Sequence, residues 1–400
     1  MRLYLFPSEE KSVVLHMDFS EVIGQEHLKS HLKKTIENSR IPHAQLFIGK
    51  SGSGLLPMAL GYVKEILCQG LEKKSAAYTN CASRIDQLSH PDLHFIYPVN
   101  TNDSIKKNPI SDHFSSEWRE FVLANPYGSL YDWYQHIGIE NKQGNISKNE
   151  AEDFSKKLSL KAYEGGYKIV VIWMADKMNN ECSNKILKIV EEPPEKTVLL
   201  LLTEEEEKML TTIQSRCQKL HFPLLSEEQI SNQLIDKQDV DINLAKKISH
   251  QAQGSYNKAL HLLKQDGDDI RFEAWFISWV RTAFKAKGNK ASINELLLWS
   301  ENLAKEGRET QKKFLDFCEE VFRQALLKNY KADSLLFFES LDPTFSLKKF
   351  APFVHQNNIF EISTAIEDAQ YHIERNGNSK IIFSDLSIQL TRLIHRKSIA

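Results

Sequence analysis

The stretch AQLFIGKSGSGLLPMALGYVKEIL, residues 44–67, decides the fold. Ala44 to Ile48 is a short apolar run of strand length. Gly49 to Gly54 then places Gly49, Gly52 and Gly54 within six residues, and Leu55 to Leu67 resumes helical periodicity. Strand, glycine-rich loop and helix form the opening unit of a phosphate-loop (P-loop) α/β domain. A working loop of this kind reads G-x-x-x-x-G-K-[ST]. Its backbone N–H groups cradle phosphates, its lysine neutralises phosphate oxygens and its hydroxyl ligates Mg²⁺. Here Gly49 and Gly54 keep the spacing, but Leu55 stands where the lysine belongs and Leu56 where the hydroxyl belongs. Each lost charge-assisted bond is worth about 1.5–3 kcal/mol, so two losses weaken binding roughly a hundredfold or more. Neither ATP nor Mg²⁺ is expected here.

Working outward, residues 25–39 place Leu28, Leu32 and Ile36 at helical spacing on an otherwise charged segment. DLHFIYPV (92–99) reads as a strand. Residues 100–145 read as an insertion, polar at first and then aromatic through Trp118, Phe121, Tyr127, Tyr131, Trp133 and Tyr134. Its rings are expected to form a satellite core or a docking face. Ser147 suits the cap of a helix over about 148–162, ended by Gly165-Gly166. KIVVIWM (168–174) is a buried parallel strand, Glu181–Glu192 a helix stopped by Pro193-Pro194, and TVLLLLT (197–203) the next buried strand. The alternation predicts a doubly wound sheet. Hydrolysis of a magnesium nucleotide needs an Asp at a strand end and a Glu to orient water. The corresponding positions on KIVVIWM hold Trp173 and Met174, which can do neither. Asp176 and Glu181, just beyond, read as a loop residue and a first-turn helix acid.

After Phe222-Pro223 the strand pattern stops. Residues 226–265 read as a small helical unit, and from Asp268 onward long amphipathic helices follow, with KQDGDD (264–269) as the expected hinge. The chain of 400 residues calls for two or three domains. Its 51 Lys and Arg against 53 Asp and Glu give a net charge of −2. That argues against binding DNA chiefly through its own charge. Five scattered cysteines without CxxC spacing predict neither a disulfide framework nor a zinc ribbon and fit a reducing cytoplasm. Neither a signal peptide nor a membrane span is expected. Met17 opens the first segment that reads like a domain, so residues 1–16 are either an added strand or a misassigned start.

These residues together resemble the clamp-loader branch of the AAA+ proteins, most closely the delta-prime subunits of bacterial DNA polymerase III, with gamma/tau as nearest relatives. The resemblance is carried by FSEVIGQEHL (19–28), IPHAQLFIGKSGSG (41–54), HPDLHF (90–95) and EGGYKIVVIWMADKMN (164–179). NKILKIVEEPPEKTVLLLLT (184–203) and TIQSRC (212–217) complete it. It covers about 20–265 well and the last third only in character. It implies an AAA+/RecA-like α/β domain over 1–223, a small helical lid over 224–267 and an all-α collar over 268–400. It also implies that Arg216, in a turn shaped by Ser215 and Cys217, reaches the γ-phosphate in an adjacent subunit's site. Guanidinium chemistry suits that role.

The ATP-binding relatives differ at three places. They keep Lys-Thr where this chain has Leu55-Leu56, Asp-Glu where it has Trp173-Met174, and a lid arginine where it has Asn257. Thr203 keeps the polar strand end. Many relatives also carry a four-cysteine zinc module before His-Pro-Asp. Only Cys68 and Cys81 lie there, so no zinc is expected, and His90 and His94 read as packing histidines. The resemblance thus implies a delta-prime-type subunit that is no ATPase by itself. It would sit in a hetero-oligomeric ring with delta-type and gamma/tau-type subunits, and meet the sliding clamp and primer-template DNA through that complex. The alternatives are a gamma/tau-type ATPase motor, or a single-stranded DNA-binding module that stacks bases on the aromatic insertion.

Overall fold

The computed structural model describes residues 17–159, 161–164, 166–264, 267–340 and 342–397. The reading of residues 1–16 lies outside them, as do Gly165 and the middle of the expected hinge. The described residues divide into two compact units, 17–137 with 144–238 and 254–257, and 138–143 with 239–253 and 258–397.

In the first unit α1 (Glu26–Glu37) precedes β1 (Ala44–Ile48), α2 (Leu55–Leu67), α3 (Ala76–Asp86) and β2 (Leu93–Ile96). The insertion follows as α4 (Ser115–Ala124) and α5 (Leu130–His136), then α6 (Lys148–Ser159), β3 (Lys168–Ile172), α7 (Asn180–Glu191), β4 (Thr197–Thr203), α8 (Thr211–Gln214), β5 (Gln218–His221) and α9 (Glu227–Gln238). Among the described residues the strands form one parallel sheet in the order β2-β3-β4-β1-β5. The expected parallel α/β architecture is therefore present. Parallel strands covered on both faces read as near-continuous apolar runs, and every residue of β3 and β4 is buried.

Local chemistry corrects one side-chain cap and one boundary. α6 begins at Lys148 as expected and the Ser147 carbonyl accepts the Ala151 N–H at 3.4 Å, but the buried Ser147 Oγ makes no hydrogen bond. Strand β3 stops at Ile172, because Met174 takes φ 56°, a left-handed conformation that breaks the ladder. Trp173 and Met174 thus occupy the turn after the strand. The insertion's rings are core: Trp118 and Trp133 are 2% and 0% exposed and lie edge to face at 5.3 Å. Rings sealed in this way cannot serve as the base-stacking platform of the DNA-binding alternative.

The second unit contains α10 (Ile242–Ala252) and the helices α12 (Gly267–Lys285), α13 (Lys290–Leu303), α14 (Arg308–Asn329), α15 (Leu347–Phe350), α16 (Ile359–Glu374) and α17 (Ser379–Leu393). The unit boundary falls within α11 (Tyr256–Lys264). Trp279 centres its core, stacked on Trp299 at 5.2 Å and donating its indole N–H to Ser387 Oγ at 2.9 Å. The described part of this unit is all-helical apart from its connecting loops. No helix among the described residues is long and apolar enough to cross a membrane.

Candidate functional site

Strand β1 delivers the glycine loop to the carboxyl edge of the sheet, between β4 and β5. The Gly49 N–H donates to the Thr203 carbonyl at 3.1 Å, and Gly52 and Gly54 take φ of 78° and 99°. Side chains with a Cβ seldom adopt those angles. A Cβ on Gly52 would also meet the Asn257 backbone N at 2.9 Å, so the loop is held close against residues 255–257. The cradle is formed.

Its contents are apolar. Leu55 folds back over the loop, its Cδ1 2.8 Å from where a Cβ on Gly49 would stand, and Leu56 is buried. Beyond β3, Trp173 packs on Trp118 at 5.2 Å and on Phe121 at 6.0 Å. These side chains offer a nucleotide neither positive charge nor a metal ligand. The remaining cavity, lined by the loop, Pro126–Gly128, Trp173, Met174, Thr203 and Glu204, holds about 30 Å³. That is room for about one water, whereas small-molecule sites run to roughly 300–1,000 Å³. Burial, with Asp176 nearby, pushes the Glu204 carboxyl up to about 7, which adds an acid where phosphate would approach. Thr203 is already engaged: it donates to Asp176 Oδ1 at 2.9 Å and accepts the Glu205 N–H at 3.1 Å. Asp176 in turn pairs with Lys177 at 2.7 Å, and Glu181 is an exposed first-turn acid of α7.

Asn125, Tyr127, Asp132 and Tyr256, which the sequence reading did not assign to this site, complete it around Asn257, which it did. Tyr127 lies against the loop, its Cε1 3.4 Å from where a Cβ on Gly54 would stand, and its hydroxyl accepts the Ile23 N–H at 2.8 Å. Its ring meets Tyr256 edge to face at 5.1 Å. Asn257 is 4% exposed; its Oδ1 accepts from Asn125 Nδ2 at 2.7 Å, and its Nδ2 donates to Asp132 Oδ2 at 2.8 Å. The Asn125-Pro126 dipeptide marks a turn in the sequence, but nothing local says where that turn lands.

Ser215, Arg216 and Cys217 lie elsewhere, in the turn between α8 and β5. In the β1–β5 register Gln218 faces Gln45 and His221 faces Ile48. Arg216 therefore lies at the amino edge of the sheet, opposite the loop. At about 3.3 Å per residue, the six-residue offset from Gly49 puts it roughly 20 Å from its own cradle, farther than an arginine side chain reaches. The guanidinium is held lightly, by Glu191 Oε1 at 2.9 Å and the Thr212 carbonyl at 3.0 Å, and its side chain is 42% exposed. Such exposed pairs are worth about 0–1 kcal/mol. Ser215 is exposed, whereas Cys217 packs inward against the sheet core, where burial pushes its thiol up to about 11.

Cys68 Sγ and Cys81 Sγ lie 2.8 Å apart and both are buried. The hydrogen bond with Cys68, helped by His90 and opposed by burial, pulls the Cys81 thiol below the ordinary thiol range. His90 lies 3.3 Å from Glu164; His94, on β2, is half-buried. Among the described residues no cluster of three or more His, Cys, Asp or Glu could hold a metal ion.

The family model described as DNA polymerase III, delta subunit, matches residues 24–226. The DNA polymerase III subunit delta' of Bacillus subtilis is 30% identical over 236 residues, covering 59% of this chain and 58% of that protein. Subunit delta' of Haemophilus influenzae is 22% identical over 197 residues, 49% of this chain and 47% of that one. Subunit tau of B. subtilis is 22% identical over 399 residues, 95% of this chain and 62% of that protein. The chain thus spans less than two thirds of each of these relatives.

Proposed function

The chain belongs to the DNA polymerase III delta-subunit family, and from that premise we propose that it is a delta-prime-type clamp-loader subunit that binds no nucleotide itself. It supports the ring and lends Arg216 to the ATP site of a neighbouring subunit. Residues 1–223 serve as the α/β domain, 224–267 as the lid and 268–400 as the collar, and the other clamp-loader subunits are its partners. Contact with the sliding clamp and primer-template DNA runs through the assembled complex.

The observation that carries this reading is an asymmetry within one sheet. At the carboxyl edge the chain's own cradle is filled by Leu55, Leu56, Trp173 and Tyr127, leaving about 30 Å³. At the amino edge a permanently charged, forked cation is half-exposed and loosely paired with Glu191. Exchanging Glu191 for a γ-phosphate costs the cation little and puts charge where phosphoryl transfer develops it, an effect of about 10³–10⁵ at a single site. Ser215 frees the turn to solvent and Cys217 anchors it to the core.

Reconstitution with the partner subunits tests this. Arg216→Ala should lower DNA-dependent ATP turnover of the complex at least tenfold while leaving assembly intact. Unchanged turnover in an assembled complex removes Arg216 from the mechanism.

A further inference from the structure

We propose that the insertion segment Asn125–Asp132 is a tethered occupant of the nucleotide cradle, clamping residues 254–257 onto the glycine loop in place of a diffusible ligand. In a nucleotide-binding protein of this architecture, the ligand's own polar groups would join the loop to the chain that covers it. Here protein groups do so, and all of them belong to one compact unit.

Three sets of contacts make the clamp. The Tyr256 N–H donates to the Gly52 carbonyl at 3.1 Å, which pins the covering segment to the loop. Asn257 is gripped from both sides by the insertion, through Asn125 at 2.7 Å and Asp132 at 2.8 Å. Tyr127 fills the space between, touching the loop at Gly54 and the ring of Tyr256, with its hydroxyl fixed by the Ile23 N–H at 2.8 Å. The insertion can hold this pose because its own ends are fixed. Ser129 and Asp132 form a reciprocal capping box at the start of α5, and the Asn125 side chain also accepts the Tyr127 N–H at 3.1 Å. Asn257, buried and amide-bearing, therefore acts as the clamp's receiver.

The consequence is a cradle whose geometry does not respond to nucleotide. Hydrogen exchange of the full chain reads it directly. In the wild type the Tyr256 amide should exchange slowly, and 5 mM Mg-ATP should leave its rate unchanged. Asn125→Ala should speed exchange at Tyr256 about tenfold with the β3 and β4 amides unaffected. Tyr127→Phe should release the Ile23 amide alone. A fast Tyr256 amide in the wild type overturns the clamp without any variant, and so does an unchanged rate in a folded Asn125→Ala protein. The proposed function fails separately: Mg-ATP that slows exchange at Gly52–Gly54 in the wild type counts against a subunit that binds no nucleotide.

Discussion

At the scale of single residues, apolar and aromatic side chains fill the space around the glycine loop. Leu55 covers Gly49, and Trp173 has become part of an aromatic cluster with Trp118 and Phe121. Under the proposed function, restoring chemistry at two positions does not suffice. Leu55→Lys with Leu56→Thr should still show no Mg-ATP binding below about 1 mM by equilibrium fluorescence, because Tyr127 and Trp173 keep the space. Micromolar binding by that double variant would mean that the leucines alone block the site. A second residue sets a pH dependence. Glu150 is 4% exposed and its Oε2 accepts the Ser111 N–H at 2.7 Å; burial pushes its carboxyl from 4.5 up to about 7. Asp112 adds to the shift, while Lys157 and the Ser111 bonds oppose it. The folded state thus holds a proton that the unfolded chain releases between about pH 4.5 and 7. The stability that proton gives is complete below that window and lost as pH rises through it, by at most about 3 kcal/mol. Glu150→Gln, which keeps the acceptor without the charge, should flatten the decline in melting temperature from pH 5 to pH 8. A variant with the wild-type slope would assign the decline to other groups.

At the scale of elements, periodicity located most strands and helices, since β1, α2 and β4 match their apolar runs residue for residue. It placed the β3 end too late, because Trp173 and Met174 are as apolar as a strand and the left-handed turn at Met174 leaves no compositional mark. Ser147 shows the converse. Its residue type suits a cap, yet its hydroxyl makes no hydrogen bond, so type alone did not secure geometry. The capping box at Ser129 went unread, although Ser129 and Asp132 have a suitable spacing. The aromatic insertion is a packed element, with Trp118 stacked on Tyr97 at 4.1 Å and edge to face with Trp133 at 5.3 Å. Trp118→Ala should cost about 3–5 kcal/mol in chemical denaturation and loosen α4 and α5 first. A loss under about 1 kcal/mol would mean that the cluster is dispensable to the domain.

At the scale of the whole molecule, two compact units each carry their own core, one around the parallel sheet and one around Trp279. Trp279→Ala should lower exchange protection in α12 and α17 by about 3–5 kcal/mol while the β1 and β4 amides keep theirs. Equal loss in both sets would show that the two cores unfold as one. The sequence by itself determined that a parallel α/β sheet opens the chain, that helices follow it, and that no cationic or metal-binding side chain stands at Leu55, Leu56, Trp173 or Met174. Those facts are carried by local periodicity and residue chemistry. Only the tertiary structure decided that the loop from Asn125 to Gly128 closes the cradle, that Asn257 meets Asn125 and Asp132, and that Arg216 lies across the sheet from its own glycine loop. Each of those pairings depends on strand register or on contacts between residues seventy or more positions apart, and no window of sequence encodes such a distance.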